Sequence, residues 1–297
     1  MKKGIGIDIG GTKVSFGVLD ENGELSYEYV AKSDTTNSQT MYDVVTTGIE
    51  KLMLDIGLTQ TEVSFGIGVP GIVDSEKGIA IFQNNLPWKN FPIVDELKVS
   101  FPQVEMIKIN NDVACAAMAE WGKQDLKSDE SMVFLTVSTG IASPVVLSGN
   151  VVKGEGVAGE IGLLPVYAPY LDKIDRLELV ASGTAIQKFG RQCYKNEEVT
   201  TKDVFDKYLL GDEQAVNIIR SVAHSLAHAI YSIGCLIDPT TVVLGGSVIM
   251  KNPFMPQLIQ DELSKMTIPV QADFINRIKL SGYDNNAGLI GAALSIK

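Results

Sequence analysis

Cysteine and histidine are scarce in this chain of 297 residues, which has three of the first and two of the second. The cysteines stand at positions 115, 193 and 235, an odd number without Cys-x-x-Cys spacing. Such usage provides no disulfide framework and is typical of proteins kept in a reducing compartment. We therefore expect a cytoplasmic protein whose thiols stay reduced.

Positive charge and long apolar runs are also in short supply. The 25 Lys and Arg residues are outnumbered by 36 Asp and Glu, so the net charge is −11, and the basic residues are scattered along the chain. A nucleic-acid or anionic-membrane partner needs a basic excess that displaces counterions. No apolar stretch approaches the roughly twenty residues that span a bilayer, and the N-terminus has no signal-type apolar core. We expect neither a nucleic-acid nor a membrane partner.

Alternating and helical apolar patterns predict an α/β fold. The strand patterns lie at 4–9, 13–19, 24–31, 63–69, 104–109, 132–137, 145–147 and 241–244, and the helical patterns at 39–56 and 213–237, with a last helix after 285–286. Gly57 is a helix stop signal for the first helix. The three opening strands predict a meander.

Glycine-bearing strand ends recur in both halves of the chain. Gly10-Gly11 follows the first strand, Ser138-Thr139-Gly140 follows the strand at 132–137, and Gly245-Gly246 follows the strand at 241–244. A chain of this length with 45% apolar residues can form two lobes. The recurrence predicts duplicated α/β lobes with a nucleotide in a central cleft between them.

The first thirteen residues carry the sharpest local signal. Ile5, Ile7 and Ile9 form an apolar alternation that contains Asp8 and ends in Gly10-Gly11-Thr12-Lys13. Paired glycines allow a sharp turn whose N–H groups approach an anion, and the Thr and Lys side chains add donors. An ordinary hairpin turn would use the same glycines.

Six motifs occur in order along nearly the whole chain, and together they resemble the ROK family of sugar kinases and repressors. They are Asp8-Ile9-Gly10-Gly11-Thr12-Lys13, Asn111-Asp112, Ser138-Thr139-Gly140, Gly159-Glu160-Ile161-Gly162, Glu178 to Gly183, and Gly245-Gly246-Ser247-Val248. The resemblance implies two RNase-H-like lobes of the actin-like ATPase superfamily, and a homodimer. On this pattern we expect a small N-terminal lobe of residues 1–112 plus 285–297 and a large C-terminal lobe of residues 113–284.

The resemblance also implies the sugar site. Asp112 matches the general base that takes the proton of the reacting sugar hydroxyl, and Asn111 would orient a neighbouring hydroxyl. Sugar-binding positions of the family are matched by Glu160 and Glu178, and its sugar loops by Gly71 and Asn84. Because Asp and Asn also cap helices, Asp112 could serve only to cap the helix that follows it.

The remaining matched positions concern ATP and Mg²⁺. Phosphates would be held by Gly10, Gly11, Thr12 and Lys13, with Thr139 and Gly140 in a second phosphate turn. Gly245 and Gly246 would let the adenosine approach closely. Asp8 would hold magnesium through water.

The chain departs from the family where many members bind zinc. Leu163 replaces a histidine, and residues 165–176 contain no cysteine, so we expect no structural zinc. His224 and His228 have helical i, i+4 spacing, but Cys235 lies roughly 10 Å further along the helix. We interpret the histidines as a partly exposed polar stripe, with a metal site as the alternative.

A second departure is Ala142-Ser143-Pro144, where the family usually continues its phosphate turn with glycines. Proline removes one N–H donor, so nucleotide would bind less tightly or in a shifted pose. This leaves a catalytically weak or inactive sugar-binding or regulatory protein as the alternative to an enzyme. Because the first strand begins at residue 4, we expect no DNA-binding domain before the lobes.

The resemblance thus implies an ATP-dependent kinase that phosphorylates a hydroxyl of a hexose or hexosamine, with ATP and Mg²⁺ as cofactors. Glucose, N-acetylmannosamine and β-glucosides such as cellobiose all stay open as substrates. An actin- or chaperone-like ATPase without a small-molecule substrate would share the phosphate loops. It would not need Asn111-Asp112 together with Glu160.

Overall fold

The computed structural model describes residues 2–283 and 286–296. The chain divides into two compact units, Met1–Asp125 with Asn285–Lys297, and Leu126–Asp284. The helix Asp112–Lys123 packs against the helix Ala287–Leu294, so the first unit continues beyond the boundary predicted after residue 112. The boundary predicted between residues 284 and 285 lies outside the described residues.

Both units contain strands and helices. The strands are β1 (Lys3–Ile9), β2 (Lys13–Leu19), β3 (Leu25–Lys32), β4 (Val63–Val69), β5 (Ile72–Asp74), β6 (Ile79–Phe82), β7 (Lys89–Phe91), β8 (Ile107–Asn111), β9 (Ser131–Val137), β10 (Ile141–Ala142), β11 (Val145–Leu147), β12 (Asn150–Val151), β13 (Pro165–Ala168), β14 (Lys173–Arg176), β15 (Thr241–Gly245) and β16 (Ile278–Leu280). The helices are α1 (Ser38–Ile56), α2 (Ile93–Ser100), α3 (Asp112–Lys123), α4 (Leu177–Ala181), α5 (Gly183–Tyr194), α6 (Thr201–Leu209), α7 (Glu213–Ile237), α8 (Ser247–Met250), α9 (Met255–Ser264) and α10 (Ala287–Leu294).

The first unit is built on a sheet of order β3-β2-β1-β4-β8. β1, β2 and β3 are antiparallel, which confirms the predicted meander, while β4 and β8 run parallel to β1. Ile5, Ile7 and Ile9 of β1 are buried, as their alternation predicted. Helix α1 begins after Asn37, which caps it, and ends at Gly57 with φ +67°, the predicted stop.

One strand was placed too early by the sequence pattern. The strand predicted at 104–109 is β8, which begins at Ile107 and includes Asn110 and Asn111. The Val104 N–H donates to the Phe101 carbonyl in a turn that follows α2, so its backbone does not join the sheet. Asn111 pairs with Val69 at the carboxyl end of β4.

The second unit repeats the sheet of the first. Its order is β12-β11-β9-β15-β16, with β11 antiparallel to β9 and β12, and β15 parallel to β9 and β16. These are the order and directions of β3-β2-β1-β4-β8. The predicted duplication of an α/β unit is confirmed.

Helix α7 supplies much of the core of the second unit and spans the residues predicted for it, 213–237. Its N-cap is Asp212, and Asp238 ends it in a left-handed conformation before Pro239. Across residues 2–283 and 286–296, no helix combines the length and apolar character needed to cross a bilayer.

Candidate functional site

The turn between β1 and β2 contains the predicted phosphate-loop residues. The Gly10 N–H donates to the Lys13 carbonyl at 2.9 Å, and the side chains of Thr12 and Lys13 are exposed. Ser33, which follows β3, holds this turn with two hydrogen bonds. Its hydroxyl donates to the Gly10 carbonyl at 2.6 Å, and its N–H donates to the Thr12 carbonyl at 3.1 Å. The exposed donors therefore sit on a turn whose backbone is held in place.

Of the two glycines in this turn, Gly11 is needed for a different reason than predicted. Neither has the positive φ that favours glycine. A Cβ on Gly11 would lie 2.7 Å from the carbonyl oxygen of Asn85 and 2.8 Å from its Cβ. Gly11 thus permits the loop that carries Asn84 and Asn85 to approach the turn. Asn84 is exposed on that loop.

The Asp8 carboxylate occupies a slot lined by two glycines. A Cβ on Gly68 of β4 would lie 3.4 Å from Asp8 Oδ1 and 3.4 Å from Asp112 Cα, and a Cβ on Gly288 of α10 would lie 3.2 Å from Asp8 Oδ2. Neither glycine was among the site residues predicted from the sequence. A glycine inside a strand is itself a sign of close approach, and Gly68 carries that signal.

Burial and a neighbouring carboxylate raise the pKa of Asp8 from 3.8 to about 7. Desolvation is the largest cause, repulsion by Asp112 is second, and Lys13 opposes both. Two carboxylates that disfavour each other's charge attract a proton or a cation. The arrangement suits a hard divalent ion with oxygen ligands.

The raised pKa predicts an unusual pH dependence of stability. Because the folded state holds the Asp8 proton up to about pH 7 while the unfolded state releases it near 3.8, the free energy of unfolding falls as the pH rises through this window. The shift corresponds to about 4 kcal/mol at most. We expect Asp8→Asn, in EDTA, to melt roughly 5 °C above wild type at pH 8, with this difference shrinking towards pH 4. Parallel melting curves from pH 4 to 8 would contradict it.

Asn111 and Asp112 both accept hydrogen bonds from N–H groups at the start of α3. Asn111 is the N-cap of α3, and its Oδ1 accepts from the Val113 and Ala114 N–H groups at 3.0 Å. Asp112 is the first helical residue, and its Oδ1 accepts from Val113 N–H at 2.9 Å. The helix is therefore capped by Asn111, so capping alone does not account for the carboxylate at residue 112.

Asn111 also contacts Gly71, another of the predicted sugar-site residues. Its Nδ2 donates to the Gly71 carbonyl at 2.9 Å, so the turn after β4 is tied to the start of α3. Gly71 has φ +78°, and a Cβ there would lie 2.3 Å from the Phe82 carbonyl. Both the conformation and the space require glycine at this position.

In the second unit, the turn after β9 is held by the start of α5. The Gly183 N–H donates to the Ser138 carbonyl at 2.7 Å, and the Thr184 hydroxyl donates to the Thr139 carbonyl at 2.8 Å. The Ser138 N–H donates to the Gly140 carbonyl at 2.9 Å. The side chain of Thr139 remains exposed, as a phosphate turn requires.

The two predicted sugar glutamates lie close together in the second unit. Glu160 precedes the short turn Ile161–Leu163, and Glu178 lies in the first turn of α4. Both residues are exposed. The pKa of Glu160 is raised, first by desolvation and then by repulsion from Glu178. Adjacent carboxylates offer the strong acceptors that sugar hydroxyls use.

The unusual segment Ala142-Ser143-Pro144 contacts the Glu160 turn. The Ser143 N–H donates to the Gly159 carbonyl at 2.6 Å, and a Cβ on Gly159 would lie 3.0 Å from Pro144 Cα. The Pro144 carbonyl accepts from the Phe134 N–H of β9 at 3.1 Å. These residues thus attach the turn before Glu160 to the central sheet.

Packing inside the unit accounts for both Gly245 and Gly246. A Cβ on Gly245 would lie 2.6 Å from the Phe134 ring, and one on Gly246, which has φ +84°, would lie 2.4 Å from the Val137 carbonyl. The packing alone therefore explains these two glycines, and the predicted approach of adenosine is not needed to account for them.

Residues 165–176, where many family members were expected to bind zinc, form the hairpin β13–β14, with Leu163 exposed just before it.

The two histidines of α7 lie side by side. His224 and His228 have ring centroids 4.6 Å apart, and His224 Nδ1 lies 3.2 Å from Glu262 Oε2. Cys235 is exposed, and its Sγ accepts from Gln271 Nε2 at 3.7 Å. In the described part of the chain, no cluster of three or more His, Cys, Asp or Glu side chains is placed to hold a metal.

Comparisons with known proteins find sugar-kinase relatives of this chain. A glucokinase from Thermotoga maritima is 29% identical over 314 residues, covering 99% of this chain and 96% of the relative. An N-acetyl-D-glucosamine kinase from Vibrio parahaemolyticus is 28% identical over 258 residues, covering 82% and 83%. The fold is similar to that of ROK hexokinase from Thermus thermophilus, with TM-score 0.80, 28% identity, and 99% and 97% of the two chains covered. This similarity confirms the predicted actin-like ATPase fold. The model of the ROK family matches residues 4–297, and the chain belongs to that family.

Proposed function

We propose that this chain is an ATP-dependent sugar kinase that transfers the γ-phosphate of ATP to a hydroxyl of a hexose or hexosamine. The observation that carries the proposal is the position of Asp112, whose backbone adjoins Gly68 beside the Asp8 carboxylate while Asn111 caps the helix. Helix capping alone does not account for this carboxylate, and proton transfer is the role that we assign to it. The sugar-kinase relatives support phosphorylation of a sugar as the activity.

Asp112 would accept the proton of the attacking hydroxyl as the bond to phosphorus forms. Phosphoryl transfer depends mainly on positioning and charge neutralisation, so one correctly placed carboxylate suffices for the proton. Asn111, Glu160 and Glu178 would bind sugar hydroxyls, and so would the loops of Gly71 and Asn84. Asn111 keeps a second Nδ2 hydrogen beyond the one it donates to Gly71.

The nucleotide would be held by the two glycine turns. Gly10, Gly11, Thr12 and Lys13 would bind phosphate, as would Thr139 and Gly140, and Gly245 and Gly246 would face the adenosine. Mg²⁺ fits beside the Asp8 carboxylate, because a cation would offset the desolvation and the repulsion by Asp112 that raise the pKa of Asp8. Asp8 would hold the ion through water, and the ion would neutralise phosphate charge.

A phosphorylation screen with mass-spectrometric product detection tests the proposal. The sugars would include glucose, N-acetylglucosamine, N-acetylmannosamine and cellobiose, with ATP and Mg²⁺. We expect a mass gain of one phosphoryl group on at least one sugar, with sugar-dependent ADP release. ATP hydrolysis that no sugar alters would instead support an ATPase without a small-molecule substrate.

A sugar-binding or regulatory protein with little catalysis is the second candidate. The observation that favours it is Ala142-Ser143-Pro144, which contacts the Gly159 backbone where the family resemblance implies a continued phosphate turn. Calorimetry that detects sugar binding in a protein without ATP turnover would select this candidate.

The proposal extends to a homodimer in the cytoplasm, without zinc and without a nucleic-acid partner. The free cysteines support the compartment, the net charge of −11 the lack of a nucleic-acid partner, and the cysteine-free hairpin at 165–176 the lack of zinc, while the homodimer rests on the family resemblance.

Gly11 offers a test of the link between the phosphate loop and the Asn84 loop. We expect Gly11→Ala to raise the sugar Kd about tenfold in calorimetry without ATP, because its Cβ would displace the Asn85 backbone. Gly10→Ala is the matched control, since its Cβ would meet only the Lys13 carbonyl, at 3.1 Å. Equal sugar affinity in both variants would contradict the link.

A further inference from the structure

Glu178 makes a contact that sugar binding does not explain. Its Oε2 accepts a hydrogen bond from the backbone N–H of Ile141 at 3.0 Å. Ile141 follows Gly140 directly and begins β10, which pairs with the end of β9. One carboxylate oxygen of a predicted sugar ligand is therefore bound to the backbone of the predicted phosphate turn.

Two glycines make room for this carboxylate. A Cβ on Gly140 would lie 2.6 Å from Glu178 Oε2, a distance that real Cβ atoms essentially never show. A Cβ on Gly162 would lie 3.2 Å from Glu178 Cβ and 3.4 Å from Oε2. Gly140 belongs to the phosphate turn and Gly162 to the turn of Glu160. The Glu178 side chain thus lies between the two turns and contacts both.

The backbone of Glu178 is itself firmly placed. The preceding residue, Leu177, is fully buried, and its N–H donates to the Leu164 carbonyl at 2.8 Å across the base of the hairpin β13–β14. Val180 and Ala181 bury the opposite side of α4 in the core of the unit. A side chain on such a support can help to hold a neighbouring turn in position.

We propose that Glu178 is a positioning residue for nucleotide, which fixes the turn Ser138–Ile141 through the Ile141 N–H while its exposed remainder faces the sugar. The inference rests on the proposed function and adds to it a coupling between the two substrates. Loss of Glu178 then weakens nucleotide binding even when no sugar is present. A residue that only bound sugar would have no such effect.

The test is calorimetric binding of a non-hydrolysable ATP analogue with Mg²⁺ in the absence of sugar. We expect Glu178→Ala to weaken binding about tenfold, because a hydrogen bond to a charged group is lost. Glu178→Gln keeps an amide oxygen that can accept from Ile141 N–H, so its affinity should stay within about threefold of wild type. Glu160→Ala is the matched control: it removes a nearby carboxylate, and we expect it to lose sugar affinity while analogue binding is kept.

Gly140→Ala supplies a second, independent variant. Its Cβ would displace the carboxylate, so it should weaken analogue binding as Glu178→Ala does, and the double variant should be no weaker than either single one. Thermal melting checks that each variant is folded. If wild type binds no analogue, the proposed function fails. If wild type binds and Glu178→Ala binds equally well, or if the two effects add, only the positioning role is refuted.

Discussion

Asp112→Asn is expected to lower kcat about a thousandfold while the sugar still binds. Asparagine has nearly the shape of aspartate and keeps an oxygen that can accept from Val113 N–H, so the start of α3 should be unchanged. It cannot take a proton from a hydroxyl, and a general base contributes roughly 10²- to 10⁴-fold to the rate. The measurement is steady-state kinetics with the best sugar from the screen, together with calorimetry of sugar alone.

A matched control is available in the same unit. Asp95 also lies in the first turn of a helix, α2, with an exposed side chain that pairs only loosely with Lys98 at 3.5 Å. We expect Asp95→Asn to have wild-type kcat and KM. A kcat for Asp112→Asn within threefold of wild type would refute the role of Asp112 as base.

The second large effect concerns stability. A Cβ on Gly291 of α10 would lie 1.7 Å from the carbonyl oxygen of Cys115 on α3 and 2.3 Å from its carbonyl carbon. No rotamer relieves a clash between a Cβ and backbone, so the two helices would have to separate. We expect Gly291→Ala to cost about 4 kcal/mol or more, and to lower the melting temperature by roughly 10 °C.

The same substitution at Gly122 is expected to raise the stability of the protein. Gly122 also lies within a helix, α3, but a Cβ there would have nothing within 4 Å. Because alanine is the better helix former, Gly122→Ala should stabilise the protein by up to about 1 kcal/mol. Thermal melts of the two variants under one condition make the comparison. A Gly291→Ala protein as stable as Gly122→Ala would show that α3 and α10 do not pack so closely.

Local patterns were sufficient to predict most of the fold. The alternation of Ile5, Ile7 and Ile9 predicted β1, Gly57 predicted the end of α1, and the recurring strand-end glycines predicted the duplicated sheet. These features depend on neighbouring residues and on periodicity, which sequence displays directly. The predicted start of β8 was wrong because Val104 is apolar and buried, as a strand residue would be, but lies in a turn outside the sheet.

Contacts between distant residues could not be predicted in this way. Asn111 and Asp112 are both capping residues, and only the backbone conformation decides that Asn111 caps α3. The requirement for Gly11 depends on Asn85, and the bond of Glu178 on Ile141, partners that no local pattern identifies. The residue types thus indicate candidate site residues, while their contacts depend on partners that are distant in sequence.

The packing of α10 bears on the order in which the chain folds during synthesis. This helix contacts β1 as well as α3, and a Cβ on Gly6 would lie 2.3 Å from the Leu289 carbonyl. Residues 126–283 are continuous and leave the ribosome before α10 does, so the second unit can form first. The first unit must keep the β1 face open until the last helix emerges. The face of β1 that packs on α10 is thus exposed for most of translation, although β1 is the first strand to be made.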